Sequence, residues 1–221
     1  MQIFLTGAEY KAYREIMQEV GVRYGCVNFS YIWERDPSFR FEELDFLEEI
    51  MVIPGRITMN EFEEYKHFLN ANSEFIDFAL APLHFAFRCG VPIVPRFNPA
   101  KEIHTRMYVT FGDMKRPFRK IHAKQLIDEK GILFHGVEVD EPFVESMSSS
   151  TWMHGTSGIN SDWRNDKMFI RFGREYSTSI ARRLILEGYD LNLLKIKKND
   201  WQEIAKMNCI QWKKRQEYED G

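Results

Sequence analysis

The chain has 221 residues, 44% of them hydrophobic and 14% aromatic, which is enough for one large domain with a substantial core. Its 30 basic and 33 acidic residues give a net charge of −3, which argues against strong nonspecific binding to nucleic acid but not against a local basic groove. The first apolar run is too short for a signal peptide, and no apolar stretch approaches the roughly 20 residues of a membrane span. We therefore expect a cytoplasmic protein that makes no membrane contact.

Short apolar runs that end in Gly, Pro or polar residues alternate with helical patterns. Eight runs predict strands: 2–7, 25–32, 50–55, 75–81, 92–97, 107–112, 132–139 and 143–148. Between the first two, apolar residues recur every three or four positions from Glu9 to Val20, and this spacing predicts a helix that ends at Gly21. After the third run, Thr58 and Glu61 have the spacing of a capping box that begins another helix.

The alternation of strands and helices predicts an α/β fold with a parallel sheet, and eight strands predict a (β/α)8-type barrel with its working residues at the C-terminal ends of the strands. The barrel must be abbreviated or irregular, because the eight runs fit within about 150 residues, whereas such barrels usually take about 250. Only a few residues around Glu141 and Pro142 separate the last two runs, so a hairpin or one bent strand is the alternative there.

The C-terminal part of the chain differs in pattern from the rest. We assign residues 1–158 to the barrel and residues 159–221 to an extension of strands and helices that packs on it. A long helix is predicted at the end of this extension, because several apolar residues lie along one helical face: Trp201, Ile204, Ala205, Asn208 and Trp212.

Metal and cofactor chemistry has no readable motif in the sequence. The three cysteines, Cys26, Cys89 and Cys209, are odd in number and far apart, so they predict neither a disulfide framework nor a zinc site. The six histidines show no H-x-H or H-E-x-x-H spacing, and no glycine-rich phosphate-binding loop of the P-loop or Rossmann type occurs. We expect no metal site and no cofactor.

The stretch FVESMSSSTWMHGTSG, residues 143–158, contains four consecutive hydroxyl residues at 148–151, followed by His154. A serine nucleophile with His154 as its base is one hypothesis, but the G-x-S-x-G elbow that would present such a serine is absent. Hydroxyl-rich loops more often serve turns and helix caps.

Acidic residues crowd the segment after the seventh predicted strand, at positions 138, 140, 141 and 145. Two carboxyl groups held close together push their pKa values apart and divide acid and base roles, although a solvated acidic loop is the simpler interpretation. His135 lies near the end of that strand, and Gly136 beside it permits the close approach of a ligand. A purely structural histidine is the alternative.

Residues 88–124 are locally basic, with Phe97, Tyr108, Phe111 and Phe118 between the charges. This pattern is typical of phosphate contact combined with base stacking, and also of an ordinary surface. Nucleic acid is therefore one candidate partner.

Six stretches, in order along nearly the whole chain, carry a resemblance to a known family: IFLTGAEYKAYREIMQEVGVRYGCVNFSYI, TMNEFEEYKHFL, VPIVPRFN, FHGVEV, ESMSSSTWMHGTSG and MNCIQWKKRQEY. With them the chain resembles small phage proteins related to the queuine tRNA-ribosyltransferase family, a barrel family whose enzymes exchange guanine for 7-deazaguanine bases in tRNA or DNA. The resemblance implies a transglycosylase-like barrel in the cytoplasm of a host cell.

The family's catalytic positions are altered in this sequence. An Asp-Ser-Gly type motif is expected at the end of the third strand, where the chain reads IPG at 53–55, and the late motif that holds the nucleophilic Asp reads SMSS at 146–149. The resemblance thus places Ile53 and Ser148 where two catalytic carboxylates are expected, and Leu83 near a third. Glycosyl exchange through a covalent intermediate needs a carboxylate nucleophile, so a pseudoenzyme is the expectation.

Two functions follow from the resemblance and its departures. One is a non-catalytic relative of nucleobase transglycosylases that binds a nucleobase, a nucleic acid, or a phage or host protein at the barrel mouth. The other is an active base-modifying enzyme that uses other carboxylates, with Glu145, Glu138 and Asp77 as its catalytic candidates. The predicted ligand-binding residues are Gly55, His135, Gly136, Ser148, Ser149 and Trp152.

Overall fold

A computed structural model describes residues 1–55, 57–58, 60–80, 93–102, 133–137, 144–149, 151–154 and 201–220. Within them, seven strands form a closed barrel: β1 Gln2–Thr6, β2 Tyr24–Asn28, β3 Glu49–Ile53, β4 Phe78–Leu80, β5 Ile93–Phe97, β6 Phe134–Val137 and β7 Ser146–Ser149. The strand predicted at 107–112 lies outside the described residues. The fold is therefore mixed α/β and is built on a closed barrel.

The barrel closes because β7 pairs with β1, with Gln2 opposite Ser146 and Phe4 opposite Ser148. Neighbouring strands are parallel, except that β5 runs antiparallel to both β4 and β6. The prediction of a uniformly parallel sheet is therefore wrong at β5. The hairpin alternative for the last two runs is also excluded, because β6 and β7 are parallel neighbours with His135 opposite Ser146.

Six α-helices accompany these strands in the described part of the chain: α1 Lys11–Val20, α2 Phe29–Arg35, α3 Phe62–Ala71, α4 Pro99–Glu102, α5 Thr151–His154 and α6 Trp201–Asp220. A short 3-10 helix, Phe41–Leu44, lies between α2 and β3. Helix α1 ends where the sequence predicts, because Gly21 adopts the left-handed conformation with φ of 74°. The capping box before α3 is confirmed by two reciprocal hydrogen bonds: the Thr58 N–H donates to Glu61 Oε2 at 2.6 Å, and the Glu61 N–H donates to Thr58 Oγ1 at 3.4 Å. None of these helices is long and apolar enough to cross a membrane.

The strand predicted over 25–32 is half strand and half helix. Strand β2 stops at Asn28, and α2 begins at Phe29. Phe29 and Ile32 are both buried and lie three positions apart, so the apolar run fits a helical face as well as a strand. The change of structure places Asn28 at the end of a strand and Ser30 in the first turn of a helix.

Side chains alternate between the two faces of the barrel wall. The inner face carries an apolar cluster: Phe4, Tyr24, Cys26, Met51, Ile53, Leu80 and Val94. Residues of the outer face, such as Leu5, Val52 and Met147, belong to a larger core that includes Trp152 and Trp212. Since side chains fill the middle of the barrel, a ligand is expected to bind at one of its ends.

The C-terminal helix α6 packs on α1, α5 and β1. Its buried residues include Ala205, Cys209 and Trp212, and Asn208 Nδ2 donates a hydrogen bond to the carbonyl oxygen of Trp152 at 3.2 Å. The predicted remainder of the extension, residues 159–200, lies outside the described residues.

Helix α6 also completes the hydrogen bonding of β1. Pairing between β1 and β2 begins with Leu5 opposite Gly25, so the earlier part of β1 has no partner on that side. There the Ile3 N–H donates to Gln216 Oε1 at 2.6 Å. A side chain of α6 thus takes the place of a strand partner.

Candidate functional site

The C-terminal ends of β1, β2 and β3 are neighbours at one barrel mouth, which they share with the C-terminal ends of the other parallel strands, β4, β6 and β7. Two glycines with positive φ follow these strands: Gly7 with φ of 102° and Gly55 with φ of 70°. A Cβ atom added to Gly55 would lie 2.3 Å from both Asn28 Oδ1 and Ser30 Oγ. The backbone at Gly55 therefore approaches two polar side chains more closely than any other residue type allows. We call Asn28, Ser30 and Gly55 the polar notch.

Hydrogen bonding within the polar notch fixes the amide of Asn28. Ser30 Oγ donates to Asn28 Oδ1 at 3.0 Å, so the donor end of this amide is Nδ2. Asn28 is half-buried, and it lies opposite Ile53 in the pairing of β2 with β3. The notch thus presents an amide donor at the mouth.

Replacing Gly55 by alanine tests how tightly the polar notch is packed. We expect the free energy of unfolding to fall by about 2–4 kcal/mol, because alanine strains a positive-φ position and also overlaps two side chains. Gly21→Ala is the matched control: Gly21 has a similar φ of 74°, but its Cβ atom would meet the end of the Lys213 side chain at 3.3 Å. Urea denaturation should show a loss of about 1 kcal/mol for this control. Equal losses at the two sites would contradict a tight notch.

Glu9 follows β1 and buries a carboxyl group at the same mouth, with 4% of the residue exposed. Burial raises the pKa of Glu9 to about 7, and the nearby backbone N–H groups of Glu9, Asn28 and Gly7 offset part of this effect. Its Oε2 atom accepts no hydrogen bond from any described residue. A carboxyl group with a pKa close to neutrality, at the C-terminal end of a barrel strand, has the properties of an acid–base or recognition group.

Aromatic rings extend from the mouth beside Glu9. The ring centroids of Tyr10 and Tyr31 lie 4.2 Å apart, and Tyr10 also contacts Tyr13 edge to face at 5.8 Å. Burial, and then the negative charge of Glu9, raises the pKa of Tyr10 to about 12, so its hydroxyl group stays protonated at neutral pH. Half-buried tyrosines next to polar side chains suit a planar ligand that also forms hydrogen bonds.

A second polar cluster lies inside the barrel at the opposite end, where the parallel strands begin. Arg96 Nη1 donates to Gln2 Oε1 at 3.0 Å and to Ser146 Oγ at 3.2 Å. The cluster continues from Gln2 to Glu49, with 2.7 Å between Gln2 Nε2 and Glu49 Oε2, and from Ser146 to His135, with 2.8 Å between Ser146 Oγ and His135 Nδ1. This chain of contacts links β1, β3, β5, β6 and β7, so we assign it a structural role.

His135 belongs to this interior cluster and not to the mouth. It is the second residue of β6 and lies opposite Ser146, the first residue of β7. Burial, and then the positive charge of Arg96, lowers the pKa of His135 to about 3. The imidazole is therefore neutral at physiological pH, and its Nε2 atom has no hydrogen-bond partner within the described part of the chain.

Two of the three carboxylates predicted to be catalytic, Glu145 and Asp77, are among the described residues, and neither lies at the mouth. Glu145 is exposed and immediately precedes β7. Asp77 precedes β4, and its Oδ2 atom accepts a hydrogen bond from the Ile50 N–H at 2.8 Å. Both residues are at the N-terminal ends of their strands, on the opposite side of the barrel from Glu9. Glu138 lies outside the described residues, and its role stays a prediction.

The predicted ligand-binding serines lie on opposite faces of β7. Ser148 is opposite Phe4 and faces the barrel interior, where its Oγ atom is buried without a partner among the described residues. Ser149 is opposite Leu5 and faces the outer core. Ser148 is therefore not paired with a histidine base among the described residues.

Gly136 and Trp152 also lie on the outer side of the barrel wall. Gly136 is opposite Met147, a residue of the outer core. Trp152 is fully buried, and its Nε1 atom donates to the carbonyl oxygen of Thr6 at 2.9 Å. Its indole ring therefore anchors α5 to the end of β1. Of the six predicted ligand-binding residues, Gly55 belongs to the polar notch, and Ser149, the last residue of β7, lies at the same end of the barrel but on its outer face.

Glu9 and Asn28 were not predicted as functional residues. A signal for Glu9 was present, because the small residues Gly7 and Ala8 follow a strand and lead directly to a carboxylate. Asn28 was hidden within a run that the sequence pattern assigns to a strand interior.

Comparisons of the chain with protein-family models, with curated proteins and with solved structures found no match in any of the three. Within the described residues, no group of three or more His, Cys, Asp or Glu side chains is arranged to hold a metal ion. We therefore argue the function from the residues of the mouth.

Proposed function

We propose that the protein binds a nucleobase, free or within a nucleic acid, at the C-terminal mouth of the barrel, and that it does so without covalent glycosyl transfer. The observation that carries this proposal is the polar notch, where Gly55 keeps the backbone close to Asn28 and Ser30. A nucleobase combines a flat ring with donors and acceptors on its edges. The ring fits the tyrosine pair Tyr10 and Tyr31, and the edges fit the amide and hydroxyl groups of the notch.

The residues at the altered catalytic positions support binding without covalent chemistry. Ile53 belongs to the apolar inner cluster, and Ser148 is a buried neutral hydroxyl group. These are the positions at which a transglycosylase-like (β/α)8 barrel would hold carboxylates. A hydroxyl group with no base among its described neighbours does not attack a sugar carbon as a carboxylate does. On this proposal the barrel keeps its ligand site and lacks the nucleophile.

Titration calorimetry with guanosine, adenosine, cytidine and uridine tests the binding proposal. We expect saturable binding of at least one nucleoside, and we expect Gly55→Ala to weaken it by about tenfold or more, because the added methyl group displaces Asn28 and Ser30. Gly21→Ala, which carries the same backbone strain away from the mouth, should bind with wild-type affinity. No saturable binding of any of the four nucleosides would overturn the proposal.

An exchange assay tests the absence of glycosyl transfer. Radiolabelled guanine incubated with the protein and either tRNA or duplex DNA should not be incorporated, because loss of a covalent nucleophile costs many orders of magnitude in rate. Incorporation above background that Glu145→Gln abolishes would instead support the alternative of an active enzyme with rearranged carboxylates.

A further inference from the structure

Glu9 is buried, but the fold does not supply hydrogen bonds to both of its carboxyl oxygens. Its side chain is almost fully buried, yet Oε2 accepts no hydrogen bond from a described residue. A buried polar atom without a partner is costly, and native proteins contain few of them. A buried carboxyl group with an unpartnered oxygen at the end of a barrel strand is therefore a candidate for a binding or catalytic group.

The position of Glu9 connects it to the polar notch. The backbone N–H groups of Gly7 and Asn28 lie close to its carboxyl group, which places that group between the ends of β1 and β2. The charge of Glu9 raises the pKa of the next residue, Tyr10, and the ring of Tyr10 packs on the ring of Tyr31. One mouth therefore combines a carboxyl group, the amide of Asn28 and a pair of aromatic rings.

We infer that Glu9 is the residue that recognises the ligand of this mouth, its carboxylate accepting two hydrogen bonds from adjacent N–H and NH2 groups on one edge of the ligand. This inference rests on the proposed function and narrows it to bases with such an edge. Both oxygens accept only when Glu9 is ionised, so below neutral pH ligand binding must release its proton to solvent. Oε2 is buried, so a neighbouring group must move to admit the ligand.

Guanosine and inosine are matched probes, because inosine lacks the exocyclic amino group and is otherwise identical. At pH 8 we expect wild-type protein to bind guanosine about tenfold or more tightly than inosine. Lowering the pH to 5.5 should weaken guanosine binding by about 30-fold, since only about 3% of Glu9 stays ionised there. At pH 6.5, calorimetry in phosphate and in bis-Tris should reveal release of about 0.8 proton per guanosine bound, which is the fraction of Glu9 protonated before binding.

Glu9→Gln keeps the size of the side chain and removes its ionisation. This variant should bind guanosine and inosine equally weakly, show no dependence on pH and release no proton. Glu15→Gln, on the exposed side of α1, is the matched control and should behave as wild type. Glu9→Asp, which keeps the charge on a shorter side chain, should still release a proton while binding more weakly.

The outcomes separate the inference from the proposed function. If Glu9→Gln, shown to be folded by a cooperative thermal transition, binds guanosine with wild-type affinity and pH dependence, the role of Glu9 is overturned and nucleobase binding stands. If that variant does not fold, Glu9→Asp decides, and binding by Glu9→Asp without proton release overturns the role. If wild-type protein binds neither guanosine nor inosine but binds another nucleoside, the inference fails and nucleobase binding stands. If it binds no nucleoside, both proposals fail.

Discussion

Ending the chain at Asn199, which removes α6, should leave a protein without a cooperative thermal transition. Helix α6 contributes Trp212, which is 2% exposed, to the outer core, and Gln216 satisfies the Ile3 N–H. Replacing Trp212 alone by alanine should lower the free energy of unfolding by about 3–5 kcal/mol, because a large buried ring is lost from a packed interface. That loss is a large share of the roughly 5–15 kcal/mol that stabilises a typical domain.

Urea denaturation followed by circular dichroism measures both effects. Gln202→Ala, at an exposed position of the same helix, is the control and should change stability by less than about 0.5 kcal/mol. A truncated chain that melts cooperatively near the wild-type temperature would show that α6 is not part of the folded core.

His135 should make the protein sensitive to acid. The pKa of His135 is about 3 in the folded protein and about 6.5 in the unfolded chain, so between these values the unfolded chain binds more protons. The stability that depends on neutral His135 is therefore complete above pH 6.5 and is lost as the pH falls toward 3. The loss amounts to about 1.4 kcal/mol per pH unit, or about 2 kcal/mol between pH 6.5 and 5.

The contribution of Glu9 to stability depends on pH in the opposite direction, and it must be separated from the contribution of His135. Its pKa is raised from 4.5 to about 7, so the folded protein binds the extra proton, and stability falls as the pH rises through this window. Between about pH 4.5 and 6.5 the two slopes oppose each other, and the wild-type profile alone is nearly flat.

The measurement is therefore the difference in unfolding free energy between wild type and His135→Asn at each pH. Asparagine retains a group able to hydrogen-bond with Ser146 and cannot bind a proton, so the variant should lose less stability in acid than wild type. His67→Asn, at an exposed position of α3, controls for the loss of a histidine as such and should keep the wild-type slope. Parallel profiles for wild type and His135→Asn would contradict the buried neutral imidazole.

Local patterns predicted the parts of the fold that short-range physics decides. Strand β1, the end of α1 at Gly21 and the capping box of Thr58 and Glu61 each depend on residues within a few positions of one another. The direction of β5 depends instead on pairing with strands far along the chain, and nothing in its own five residues encodes that choice. The boundary between β2 and α2 was not predicted, because one apolar run fits the periodicity of a strand and that of a helix.

The candidate site was predictable to a similar extent. Gly55 was predicted because it matches the glycine of the Asp-Ser-Gly type motif that the family resemblance places at the end of the third strand. Glu9 acquires its properties from burial, which arises when the ends of β1 and β2 come together. In the sequence it is one of 33 acidic residues, and no local pattern distinguishes a carboxylate that tertiary structure encloses from one that stays in water.

The bond between Ile3 and Gln216 joins residues 213 positions apart, and this has a consequence for biosynthesis. A ribosome makes β1 more than 200 residues before it makes the side chain that satisfies the open edge of this strand. While the intervening residues are made, the start of β1 presents an unpaired backbone N–H beside apolar surface, which is the kind of edge that recruits other chains into aggregates. The barrel cannot become fully closed to such contacts until α6 has left the ribosome, so native closure falls late in a slow, long-range folding process.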